Sequence, residues 1–158
     1  MEQKRREQLW KIVKRYLKEE NSTHGLSHIR RLCAYFNLFK GGDPVLPQEV
    51  LDAVECSVLL HDIGYSVSGK NHSEHSARIL GALFKGELSD IQNQEWILYA
   101  VANHSKGLAG AEAKDEKELC LALLALFDHL DHLGAVGIIG NLLRFPKEWS
   151  FKTPFFPQ

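Results

Sequence analysis

The stretch Val50-Leu51-Asp52-Ala53-Val54-Glu55-Cys56-Ser57-Val58-Leu59-Leu60-His61-Asp62-Ile63-Gly64 decides how this chain is read. Val50, Leu51, Val54, Val58 and Leu59 recur at the spacing of one face of an α-helix. Pro47 opens that helix as a first-turn proline, and Gly64 ends it. At its end His61 and Asp62 stand side by side, after residues that belong in a core. A desolvated carboxylate must be paired, protonated or bound to a metal. His28 upstream and Asp128 downstream are candidates to complete such a site.

The same period recurs on either side of this stretch. Leu9, Ile12, Val13, Tyr16 and Leu17 form the apolar stripe of a first helix, placed within residues 2–20. Asn21-Ser22-Thr23 breaks it and offers caps for a second helix, from about Leu26 to Phe39. Gly41-Gly42-Asp43-Pro44 reads as a loop. Past Gly64, Tyr65 to Lys70 reads as a polar loop, and a fourth helix covers about Ser73 to Phe84. Ser89-Asp90-Ile91-Gln92 has the capping-box pattern for a fifth, reaching Asn103 or His104. Lys106 to Lys114 is a Gly- and Ala-rich loop. Asp115-x-x-Glu118 caps a sixth helix, which ends near Leu133. Gly134 to Arg144 suggests a looser seventh, followed by an extended aromatic tail, Trp149 to Phe156. No segment shows strand alternation. The expectation is one all-α domain over residues 1–158, a helical bundle of six to seven helices, with its core at about 22–145 and the tail at 146–158.

The bulk composition suits a single globular domain. The chain has 158 residues, 44% hydrophobic and 25% charged, with net charge −1. That balance disfavours polymeric nucleic acid as a partner while leaving small anions possible. Cys33, Cys56 and Cys120 lie in apolar helical stretches without Cys-x-x-Cys spacing, so they read as small buried hydrophobes in a reducing cytoplasm. The longest apolar run, Leu119 to Phe127, is too short to span a bilayer, and the N-terminus lacks the apolar segment of a signal peptide. A cytoplasmic protein without a membrane partner is expected. The aromatic tail covers its own core or that of a second copy, so a homo-oligomer is one outcome.

Histidine is the outlier, with eight residues against three Trp and one Met. His24 and His28 are four apart, and share a helix face if the helix begins early enough. His72 and His75 open one helix, and His104 ends another. Asp128, Asp131 and His132 share a face of the sixth helix. Each station has an ordinary reading: His61-Asp62 as a helix end, His72 and His75 as solvated, His104 as a core histidine. Asp128 is harder to dismiss, because it follows nine largely apolar residues. Their coincidence points to metal. Imidazoles and carboxylates without thiolates suit a divalent Mn, Fe, Co, Ni or Zn ion better than an all-oxygen Mg²⁺ or Ca²⁺ cage.

Three segments together, His24-Gly25-Leu26-Ser27-His28-Ile29-Arg30-Arg31, His61-Asp62-Ile63-Gly64 and Asp128-His129-Leu130-Asp131, resemble the HD superfamily of metal-dependent phosphohydrolases. Asp128 to Gly137 is similar to the Asp-Arg-Leu-Asp-Ala-Leu-Gly-Ala-Ile-Gly stretch of the bacterial small HD hydrolases. The resemblance covers about 22 to 145. It implies metal ligands at His28, His61, Asp62 and Asp128. Second-metal ligands, where present, fall on His72 and His104, with His75 competing for the place of His72. The family's arginine after the metal aspartate is replaced by His129, which puts the usual phosphate contact in question.

Four protein ligands leave open positions for water and a phosphate oxygen, and Asp62 is expected to orient the nucleophile as well as bind metal. Lys70, Lys106 and Arg31 are the first cations to consider for substrate phosphate, with Arg78 behind them. Gly107 and Gly110 let a loop close. The leading expectation is hydrolysis of a phosphate ester or anhydride in a small metabolite, a nucleotide above all, with one or two ions. The alternatives are a di-iron oxygenase, which needs both His72 and His104, and a non-catalytic nucleotide- or metal-binding module.

Overall fold

In the computed structural model, residues 1–18, 24–42, 46–106 and 112–134 are described. They form six α-helices: α1 (Gln3–Tyr16), α2 (Leu26–Gly41), α3 (Gln48–Leu60), α4 (His72–Phe84), α5 (Gln94–Asn103) and α6 (Glu116–Leu133). A 3₁₀ turn, Ile63–Ser66, links α3 to α4. No strand occurs among the described residues, so the fold is all-α. Asn21-Ser22-Thr23, Asp43-Pro44, Gly107, Gly110, and the residues past Gly134 for which a seventh helix and an aromatic tail are expected lie outside the described residues.

The central element is α3. It packs against α1, α2, α5 and α6, and every residue from Val50 to Leu60 except Asp52 is buried. Burial therefore extends well past the stripe read from the sequence, as expected of a helix with neighbours all round. Of its buried polar members, Ser57 donates to the Ala53 carbonyl (2.8 Å), and Glu55 Oε1 pairs with Arg6 of α1 while its Oε2 has no hydrogen-bond partner among the described residues. Leu9, Ile12 and Val13 bury the predicted stripe of α1. Phe127 of α6 meets Phe36 and Phe39 of α2 edge-on, at 6.2 and 5.8 Å between ring centres.

Several boundaries differ from the sequence reading. The chain leaves α1 in extended backbone at Leu17, short of residue 20. Pro47 sits one place before the helix rather than inside its first turn; its carbonyl accepts from Val50 and Leu51. The capping box at Ser89–Gln92 does not form. Those residues turn, Ile91 goes into the core, and α5 starts at Gln94 behind Asn93, whose φ of 53° is the left-handed conformation asparagine tolerates. At α6 the cap forms: Asp115 Oδ1 accepts from the Glu118 amide (2.9 Å), and Glu118 Oε2 accepts from the Lys114 amide (2.9 Å), one residue before the cap. Tyr65 and Ser66, read as loop, belong to the 3₁₀ turn.

Candidate metal centre

Four helix ends and one helix face deliver the polar groups. His61 caps the C-terminus of α3, and Asp62 follows it. The 3₁₀ turn behind them brings α4 back at once. Gly64 makes that possible: a Cβ there would lie 2.1 Å from the His72 carbonyl oxygen and 2.4 Å from the Ser76 amide nitrogen. The Gly64 amide donates to Ser76 Oγ (2.8 Å). His72 opens α4 and His104 caps the end of α5. His28 lies in the first turn of α2, and Asp128 and Asp131 project from α6. His61, Asp62, His28, His104, Asp128 and Asp131 are all buried.

These groups converge on Asp62. His28 Nε2 lies 3.3 Å from His61 Nε2, 3.3 Å from Asp128 Oδ1 and 3.6 Å from Asp62 Oδ2. On the other side, His72 Nε2 lies 3.0 Å from His104 Nε2. Both reach Asp62 Oδ1, at 3.5 and 3.6 Å. The far ring nitrogens settle the tautomers. Nδ1 of His61, His72 and His104 faces the carbonyl of Val58 (3.0 Å), Gly69 (3.2 Å) and Val101 (2.8 Å) respectively. A carbonyl only accepts, so each Nδ1 carries a hydrogen, and in the neutral ring Nε2 offers a lone pair. Two Nε2 atoms 3.0 Å apart can share a proton or a metal ion. Metal–nitrogen bonds of about 2.1 Å put neighbouring ligands of one ion roughly 3.0–3.4 Å apart. Both imidazole pairs have that spacing, and the donor set fits a divalent transition ion.

Charge follows the same logic. Burial works against a charged His28, but hydrogen bonds to Asp128 and Asp131, with the Asp62 charge, raise it to about 9. Burial pushes His61 down to about 4 and lowers His72 too. His104 is raised, because Asp62 outweighs its burial. Burial would raise the carboxyls, yet His61, His104 and His24 hold Asp62 well below the usual carboxylate range. Against its own burial, Asp128 is held at about 2, chiefly by His28.

Two residues outside the expected ligand set complete the arrangement. Asp131 Oδ2 accepts from His28 Nδ1 (2.8 Å), and its carboxylate takes a two-pronged contact from Arg31 Nε (2.6 Å) and Nη2 (2.7 Å). Arg31, considered for substrate phosphate, is thus engaged in holding the group that orients His28. His24 precedes α2 rather than sharing its face with His28, and its Nδ1 reaches Asp62 Oδ2 (3.1 Å). Both were visible as neighbours of a ligand in sequence, but nothing there gives their partners. His72 is in the cluster, whereas His75 lies half-buried beside Arg78 (3.4 Å). Lys70 and Lys106 are exposed, on the turns beside His72 and His104. His129 is exposed on α6.

No curated protein and no solved structure matches the chain. Residues 10–133 match the HD domain, a family whose members are generally metal-dependent hydrolases. The buried histidine–aspartate cluster is compatible with metal binding. Among the described residues no helix is long and apolar enough to cross a membrane. With a match over most of its length, this chain belongs to the HD domain family.

Proposed function

We propose that this HD domain is a metal-dependent phosphohydrolase that cleaves a phosphate ester or anhydride of a small metabolite, with a nucleotide as the favoured substrate. The observation that supports it is the pair of facing imidazoles on either side of Asp62. His28, His61, Asp62 and Asp128 would hold one ion, and His72, His104 and Asp62 a second. When bound, such ions supply Lewis acidity toward a phosphoryl oxygen and lower the pKa of water. The chain's own residues do the positioning. Asp62, kept ionised, orients the attacking water. His24 fixes the Asp62 carboxylate, and Asp131 with Arg31 fixes the His28 ring. Lys70 and Lys106, on adjacent turns, are cations within the same region for substrate phosphate. In the net reaction the water oxygen bonds to phosphorus, the ester or anhydride P–O bond breaks, and the departing oxygen takes a proton.

The test is phosphate release by Mn²⁺-loaded protein from a panel of phosphomonoesters, nucleotides and diphosphates, with Asp62→Asn as control. Turnover that Asp62→Asn abolishes is the expected result. A loaded protein inactive on the whole panel overturns the reading. Oxygen-dependent turnover by the iron-loaded protein would instead establish the di-iron oxygenase, and ion binding without any turnover a binding module.

A further inference from the structure

Of the imidazoles around Asp62, that of His72 is the least enclosed. Its side chain is 16% exposed, against 7% for His24, 1% for His104 and none for His28 and His61. Close packing fixes the enclosed rings. His72 has less of it, and its Nδ1 bond to the carbonyl of exposed Gly69 is, at 3.2 Å, longer than those of His61 (3.0 Å) and His104 (2.8 Å). A ring held by one such bond can still swing about it, so another contact must set its plane.

Tyr65 makes that contact. Its ring centre lies 4.3 Å from that of His72, with 28° between the planes, and 4.2 Å from that of His24, with 16° between them. The two imidazole centres are 6.1 Å apart. Stacking on opposite faces of one ring, at about 3.5 Å each, would separate them by about 7 Å or more. They therefore lie side by side over one face, and the phenol is a floor shared by both. The imidazoles on that floor flank a single carboxylate. His24 Nδ1 reaches Asp62 Oδ2 (3.1 Å), and His72 Nε2 lies 3.5 Å from Asp62 Oδ1. The floor is tied to the same residue through the backbone, since the Tyr65 amide donates to the Asp62 carbonyl (2.9 Å). The Val67 amide donates to the Gly64 carbonyl (2.9 Å) and Ser66 Oγ to the Ile63 carbonyl (2.7 Å), which closes the 3₁₀ turn around the ring's attachment.

We infer that Tyr65 is a positioning residue for the second ion: its ring face sets the plane of His72 and, through His24, steadies the carboxylate that both ions share. The inference rests on the two-ion centre of the proposed function and is independent of the substrate taken there. The ring face carries this role and the hydroxyl does not, so phenylalanine should serve equally well.

Calorimetric titration of the full chain with Mn²⁺ tests it, with metal content as a check. Wild type and Tyr65→Phe should each take two ions with the same affinities. Tyr65→Leu should weaken the second by about 10–100-fold, the loss typical when the group that orients a ligand histidine is removed, and keep the first. Ser66→Ala deletes a bond of the same turn but leaves the ring, and should bind both ions as wild type does. In the metal-free wild type, the ring current of Tyr65 should place the ring-proton resonances of His24 and His72 upfield of those of His75. Equal second-ion affinity in wild type and Tyr65→Leu overturns the inference. So does loss of the second ion in Tyr65→Phe or Ser66→Ala, which would assign it to the hydroxyl or to the turn. If Tyr65→Leu fails to fold, His24 and His72 resonances without the upfield shift overturn it. A wild type that takes one ion overturns both the inference and the two-ion centre. Two ions and the expected variant pattern, without turnover on the phosphate panel, would sink the hydrolase reading alone.

Discussion

Replacing Gly64 by alanine tests the link between backbone and site. The added methyl would stand 2.1 Å from the His72 carbonyl oxygen, 2.4 Å from the Ser76 nitrogen and 2.7 Å from Ser76 Oγ. Two of these are main-chain atoms of α4, so no side chain can swing away. The first turn of α4 must withdraw by on the order of 1 Å to restore ordinary contact. Overpacking of this kind costs about 1–3 kcal/mol. Losing the Gly64 amide bond to Ser76 adds about 1 kcal/mol. Together they lower Tm by on the order of 10 °C for a chain of this size. His72 rides on the displaced turn, so its Nε2 leaves the position 3.0 Å from His104. The variant should lose stability and one bound ion together, read by thermal denaturation and by metal content after dialysis. Gly81, in the same helix, has nothing within 4 Å of an added methyl. Gly81→Ala should therefore leave the ions in place and raise stability by roughly 0.5–1 kcal/mol. Unchanged Tm and full metal content in Gly64→Ala would mean that the close approach at Gly64 does not seat α4 against the site.

Other expectations follow from single contacts. Asp131→Asn removes the anion that holds His28 and Arg31; metal affinity should fall by about 10–100-fold in chelator competition while the circular dichroism stays helical. Burial pushes the thiols of Cys33, Cys56 and Cys120 up to about 12. A raised thiol pKa means less thiolate, so at pH 8 the native protein should react slowly with a disulfide reagent and the urea-unfolded protein should release all three. Rapid labelling of three thiols in the native state would contradict the packing. Asp115→Ala deletes the cap of α6 and should cost about 1 kcal/mol in urea unfolding, without a change in metal content.

The helices were legible because their apolar residues repeat with helical period, and α3 most of all. His61-Asp62 was legible because a carboxylate at the end of such a run needs a partner. The starts of helices were harder. Ser89–Gln92 carries a capping pattern, but burial of Ile91 and the left-handed Asn93 moved the start of α5 to Gln94. Local chemistry there lost to packing. Charge alone also misdirects: Arg31 reads as a free cation beside His28, yet its partner Asp131 lies 100 residues away. The shared face of Asp128 and Asp131 could be read from their spacing, but the division of roles, one beside His28 Nε2 and the other on its Nδ1, depends on how α6 crosses α2. The pairing of His72 with His104 likewise depends on α4 and α5 meeting at opposite ends, which no local pattern encodes.

The proposal places Asp62 between two ion sites. Metal content of the purified full chain, measured after saturation with Mn²⁺ and removal of excess, tests it most directly. Wild type should hold two ions per chain, His72→Ala and His104→Ala about one, and Asp62→Ala none. A wild type that retains one ion, or a His72→Ala variant with the same content as wild type, would contradict it.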